Sequence, residues 1–163
     1  MGFLDFLKLP EARTGFDIDS QDALEFHVKI IKSKPLLSKI YSDFYCELKR
    51  FLPDGAEKVV EIGSGGGFIK EIINGVVTSD IRKCDGIDMN FSADHIPFED
   101  DSIDAFLILN VFHHLSSPAV CLREMSRCLR KGGRIIMIEP ANTALRRYID
   151  GLSHTEPFDV HGR

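Results

Sequence analysis

Apolar residues recur in two rhythms along the chain, and the changes from one to the other mark the elements. At Lys58-Val59-Val60-Glu61-Ile62, β-branched residues lead into an acid, and Gly63-Ser64-Gly65-Gly66-Gly67 follows at once. That pattern predicts a strand stopped by a flexible loop. Beyond the glycines, Phe68, Ile69, Ile72 and Ile73 fall at helical spacing and predict a helix. Gly75 to Asp80 reads as a second strand ending in an acid. Only residues 81–86 separate it from Ile87-Asp88-Met89-Asn90-Phe91. A parallel crossover takes about a dozen residues, so the third strand is expected to be short or irregular and to lack a preceding helix. Ala105 to Asn110 is apolar up to its last residue, as a strand buried on both faces requires. Ser116-Ser117-Pro118 opens a helix striped by Leu122, Met125 and Leu129, which Gly132-Gly133 is expected to end. Arg134 to Glu139 is the fifth strand, stopped by Pro140.

Ahead of the glycine strand, two helical patterns occur. Gln21 to Lys32 carries Leu24, His27, Val28 and Ile31, with His27 read as a packed histidine. The second starts near Pro35 and carries Leu36, Ile40, Phe44, Leu48 and Phe51. Phe3 to Leu9 is a short amphipathic stretch ended by Pro10, and Glu11 to Asp19 reads as loop. At the other end Ala141 to Asp150 reads as a helix and Gly151 to Arg163 as loop. The expected organisation is a helical covering segment over 1–56, an α/β core over 57–140 and a C-terminal helix and loop over 141–163. Strands alternating with helices predict a Rossmann-like parallel sheet in the order 3-2-1-4-5, flanked by helices.

Length and composition narrow the class. The chain has 163 residues, enough for one domain with a real core. A net charge of −5 with dispersed basic residues argues against nucleic acid or an anionic membrane as the main partner. The four cysteines (Cys46, Cys84, Cys121, Cys128) form no C-x-x-C, and no zinc spacing with histidine exists, so reduced thiols, a cytoplasmic setting and no metal are expected. No basic leader precedes an apolar core at the N-terminus, and the longest apolar run is too short to span a bilayer.

The glycine loop carries the chemistry. A strand, Gly-x-Gly-x-Gly and a helix make a cradle of backbone N–H groups, because glycine has no Cβ to hold a ligand away. The dinucleotide fingerprint places Gly or Ala where Phe68 stands, and no Gly-Lys-Ser/Thr follows for a triphosphate loop. Asp80, nineteen residues after Glu61, is placed to accept hydrogen bonds from ribose hydroxyls.

An acid two residues before Gly-x-Gly-x-Gly resembles the opening motif of class I S-adenosylmethionine-dependent methyltransferases. Ser92-Ala93-Asp94-His95-Ile96-Pro97-Phe98, the acidic turn Glu99-Asp100-Asp101 and Ile103-Asp104 are similar to a segment of the type-11 family, as are Asn110-Val111-Phe112-His113-His114-Leu115 and Leu129 to Met137. Ser92 stands where the family has an aspartate. The resemblance implies S-adenosylmethionine as cofactor and methyl transfer to a small molecule or a sugar or lipid precursor. It assigns Glu61 and Gly63 to the cofactor's amino-acid end, Gly65 and Gly67 to the cofactor-binding loop, Asp80 to the ribose, Ser92 and Ala93 to the adenine, and Asn110 to the methionyl ammonium. His113 and His114 are the candidate bases, with His113 favoured because adjacent side chains are expected to point apart. The full fold has two further strands, so a fragment, or a homodimer or other partner covering an open sheet edge, is expected. A non-catalytic cofactor-binding subunit and a dinucleotide-dependent oxidoreductase are the alternative functions.

Overall fold

A computed structural model describes residues 30–83 and 85–141. The expectations for 1–29 (with His27), for Cys84 and for the C-terminal helix and loop over 142–163 lie outside the described residues.

Residues 30–33 are helical, and the chain turns at Lys34 into α1 (Pro35–Arg50), with proline in its first turn. Five parallel strands follow: β1 (Val59–Ile62), β2 (Val77–Asp80), β3 (Met89–Asn90), β4 (Ile103–Leu109) and β5 (Leu129–Ile138). They line up in the order β3-β2-β1-β4-β5, with β1 paired to β2 on one side and to β4 on the other. This is the α/β Rossmann-like sheet the alternating pattern predicts. Helix α2 (Pro118–Cys128) connects β4 to β5.

The alternation of side chains along β4 builds two cores. Ala105, Leu107 and Leu109 join Val59 and Ile136 in a cluster with Tyr45 and Leu48 of α1 and with Phe68 and Ile69. Phe106 and Ile108 join Val60, Ile62, Ala93 and Ile96 in a second cluster with Cys121, Met125 and Cys128 of α2. All seven residues of β4 are buried, as an inner strand covered on both faces must be. Truncating a side chain such as Leu48, 1% exposed, costs about 2–5 kcal/mol of stability.

Three local expectations change. The apolar run after the glycines forms only a 3₁₀ turn over Ile69–Glu71, because Asn74-Gly75, with Gly75 at φ +75°, turns the chain into β2 before a second helical turn can form. Helix α2 ends at Cys128 rather than at the Gly132-Gly133 pair, since Asp101 and Ser102 donate their N–H groups to the Arg127 and Cys128 carbonyls and Leu129 already pairs with Ile103. The fifth strand therefore begins five residues before Arg134, with an irregularity in register between Ile103 and Ala105. The expected poverty of the third strand is found: β3 has two residues, and no helix lies between β2 and β3 among the described residues.

Two clasps fix the loops around the sheet. Arg127 donates to the carbonyls of Ile96 and Phe98 and to Glu124 and Asp100, which ties the 96–100 loop to α2. Asp104 Oδ2 accepts the N–H groups of Glu57 and Lys58 at 2.7 and 2.8 Å, just ahead of β1, and Arg130 pairs with its other oxygen.

Candidate functional site

All five strands run the same way, so Gly63, Asp80, Asn110 and Glu139 stand at one rim, beyond the carboxyl ends of β1, β2, β4 and β5. The strand order reverses direction between β1 and β4, and open parallel sheets bind ligands at the crevice such a reversal leaves.

The glycine loop is shaped by close approach. Gly63 takes φ +69°, and a Cβ there would lie 2.5 Å from Val111 Cγ1, so the loop after β1 touches the turn after β4. A Cβ on Gly67 would meet the Tyr45 hydroxyl oxygen at 2.1 Å and the Ser64 carbonyl at 2.9 Å. Gly65 donates its N–H to Asp80 Oδ2 at 2.9 Å. Ser64 stitches the loop to β2, donating its N–H to the Ser79 carbonyl at 2.8 Å and accepting the Ser79 N–H on its hydroxyl. Phe68 does not fill the loop's mouth. It is buried against Tyr45, ring centroids 5.4 Å apart, and against Tyr41 of α1.

Two carboxylates lie beneath this loop. Glu61 is 2% exposed, and its Oε2 has no hydrogen-bond partner in the protein. Burial pushes its carboxyl up to about 7, with the Ser64 hydroxyl opposing and the Asp80 charge adding to the rise. Asp80 is buried too, its Oδ1 accepting the Arg82 N–H at 2.9 Å. Oδ1 also accepts Arg82 Nε at 3.4 Å, so the lone-pair capacity left over lies on Oδ2, beyond its bond to Gly65.

The remaining predicted residues fall around the same rim. Ala93 packs its methyl into the cluster that holds Ile62 and Ile108, and Ser92 closes a turn by accepting the His95 N–H at 3.0 Å. Asn110 takes the left-handed backbone, φ +56°, and donates its N–H to the Ile138 carbonyl. His113 and His114 do not point apart: their ring centroids are 3.9 Å from one another. Phe112 and Leu115 of this turn pack into the core, which leaves both imidazoles on the outer side. Glu99, Asp100 and Asp101 form an exposed turn. Among the described residues no group of three or more His, Cys, Asp or Glu is arranged to hold a metal ion.

Sequence reasoning missed Glu139. Its Oε1 accepts the N–H groups of Val111 and Phe112, and its Oε2 bonds His113 Nδ1 at 2.6 Å. The signal was available, because Glu139 ends a parallel strand just as Asp80 does. Tyr45, whose hydroxyl closes over Gly67, carries no mark in the sequence beyond its place on an apolar helical face.

A protein-family model described as a methyltransferase domain matches residues 77–137. Over that stretch the chain resembles class I methyltransferases. An uncharacterized protein of Methanocaldococcus jannaschii is 32% identical over 106 residues, which is 60% of this chain and 51% of that one. This chain thus spans about half the length of that curated relative. The fold also resembles solved structures. A proposed S-adenosylmethionine-dependent methyltransferase of Methanococcus maripaludis superposes with a TM-score of 0.60 at 17% identity, covering 82% of this chain and 70% of that one. A SAM-dependent methyltransferase of Aquifex aeolicus gives 0.53 at 16% identity, covering 77% of each. At these identities the likeness concerns the fold.

S-adenosylmethionine, the cofactor of such domains, carries an ammonium, a sulfonium and a ribose diol. The unpartnered Glu61 oxygen, the Asp80 carboxylate beside it and a loop with no room for side chains at Gly63 and Gly67 fit those groups. No helix among the described residues is long and apolar enough to cross a membrane.

Proposed function

We propose that this chain is the cofactor-binding core of an S-adenosylmethionine-dependent methyltransferase acting on a small molecule or a sugar or lipid precursor in the cytoplasm. One observation carries the choice of ligand: two buried carboxylates, Glu61 and Asp80, flank the glycine loop. A pyrophosphate would have to approach both of them. The turn that follows the loop is a single 3₁₀ turn over Ile69–Glu71, too short to offset that repulsion with a helix dipole. A cationic, phosphate-free ligand gains from the same charges, which weighs against a dinucleotide-dependent oxidoreductase.

In this reading Glu61 and the Gly63-Gly65-Gly67 loop receive the amino-acid end, together with Asn110. Asp80 receives the ribose hydroxyls, and Ser92 and Ala93 border the adenine. His113 or His114 takes the acceptor's proton where there is one to lose. S-adenosylmethionine supplies an electrophilic methyl on a sulfonium that becomes neutral as the methyl leaves. The protein's part is to hold acceptor and cofactor aligned, an effect worth about 7–11 kcal/mol at its best, and to keep water out while charge disappears.

The test is a calorimetric titration of the chain with S-adenosylmethionine and, separately, with NAD. Binding of the first and not the second is expected. Binding of NAD alone overturns the reading. Transfer of labelled methyl into a metabolite extract then distinguishes the enzyme from a non-catalytic cofactor-binding subunit.

A further inference from the structure

The two oxygens of Glu139 have separate partners. Oε1 accepts the Val111 N–H at 2.9 Å and the Phe112 N–H at 2.8 Å, and Oε2 faces His113 Nδ1 at 2.6 Å. A carboxylate only accepts, so Nδ1 carries the hydrogen, and in the neutral ring Nε2 keeps its lone pair. The turn so held abuts the glycine loop through Val111 and Gly63. The His113 side chain is 40% exposed and therefore within reach of a ligand from outside. Glu139, just after β5, and His114 from the same turn are the titratable groups that the described residues set against the His113 ring.

We propose that Glu139 is a positioning residue that locks His113 in its Nδ1–H form, so that Nε2 receives the proton of an acceptor attacking through an oxygen or nitrogen that still bears one. This rests on the methyltransferase reading above and deepens it by naming the acceptor class. The acceptor's lone pair forms the bond to the methyl carbon, the C–S bond breaks with its electron pair staying on sulfur, and the acceptor's proton moves to Nε2. The His113 imidazolium that results is stabilised by the Glu139 carboxylate at its other nitrogen. Acceptors already ionised at neutral pH, such as carboxylates, gain nothing from this arrangement.

Glu139→Gln separates the two jobs of the carboxylate. The glutamine oxygen can still accept from Val111 and Phe112, while its NH₂ donates to Nδ1 and moves the imidazole hydrogen to Nε2. Long-range proton–nitrogen NMR of His113 in the chain should show the Nδ1–H form in the wild type and the Nε2–H form in E139Q. S-adenosylmethionine titration should be unchanged in E139Q. Labelled-methyl transfer into a metabolite extract, measured from pH 6 to 9, should fall about 100-fold or more and lose its acid limb. His113→Ala should fall equally, and the double variant no further, since the two residues act as one unit. A wild-type ring in the Nε2–H form, an unaltered tautomer in E139Q, lost cofactor binding in E139Q, or an unchanged transfer rate would each overturn the proposal. If the wild type binds S-adenosylmethionine yet transfers nothing, the base role falls while the cofactor reading stands. If it binds none, the functional reading falls, and with it the base role.

Discussion

Asp80 Oδ2 accepts the Gly65 N–H at 2.9 Å, so the acid that ends β2 braces the loop that ends β1. Two substitutions should therefore act differently. Asp80→Asn keeps an oxygen for Gly65 but removes the charge and sets an NH₂ against the Arg82 donors, and S-adenosylmethionine affinity should drop about 10–100-fold with a modest fall in melting temperature. Asp80→Ala also frees the loop and should cost a further 1–3 kcal/mol or so of stability. Calorimetry beside thermal unfolding checks both.

Glu61 gives a dependence on pH of known sign. Its carboxyl is raised from an ordinary 4.5 to about 7, so the folded chain holds this proton more tightly than the unfolded one. Its contribution to stability is present in full below pH 4.5, is lost as pH rises to about 7, and changes no further above that. Glu61→Gln should leave unfolding at pH 4 nearly unchanged and add a few kcal/mol at pH 8. The same variant should bind S-adenosylmethionine more weakly at pH 8. Urea titrations at the two pH values would expose the opposite outcome, a variant less stable at pH 8.

The contact between Gly63 and Val111 can be tested by relief. Gly63→Ala places a methyl against the Val111 branches and strains a left-handed backbone, which costs about 1–2 kcal/mol for the strain alone. Adding Val111→Ala removes the two nearest carbons and should recover part of the loss, but not all of it. No recovery in the double variant would mean that the loop does not lean on this turn.

Asp104 should act on the opposite side of pH. Burial would push its carboxyl up, but the N–H groups of Lys58 and Glu57 and the Arg130 guanidinium outweigh that and hold it below the usual range. A carboxyl lowered in the folded state stabilises above its unfolded value, and this support is lost as pH falls. Asp104→Ala leaves two backbone donors without their partner and should cost about 2–4 kcal/mol at pH 7, with a smaller penalty in acid. Equal penalties at pH 7 and in acid would contradict this account.

The sheet order and the glycine crevice were legible because each rests on a local rule. Apolar runs of strand length, one crossover too short for a helix and a loop without side chains each show within a few residues. What escaped depends on groups far apart in the chain. The end of a strand marks Glu139 for the rim but does not name Val111, Phe112 and His113 as its partners, and nothing near Cys128 reveals that the Asp101 and Ser102 amides end its helix. The histidine pair was misjudged because the rule that neighbouring side chains diverge gave way to the anchoring of Phe112 and Leu115 in the core. Helical spacing alone misled at Phe68 to Ile73, where the chain had to turn at Asn74-Gly75 and begin β2.

The placing of β1 between β2 and β4 bears on how the chain is made. One flank of β1 is filled by the very next strand, but the other stays open until β4, two strands later, has been synthesised. A nascent chain halted before Leu109 would present an apolar strand with half its amides unpaired, the kind of surface on which other chains aggregate.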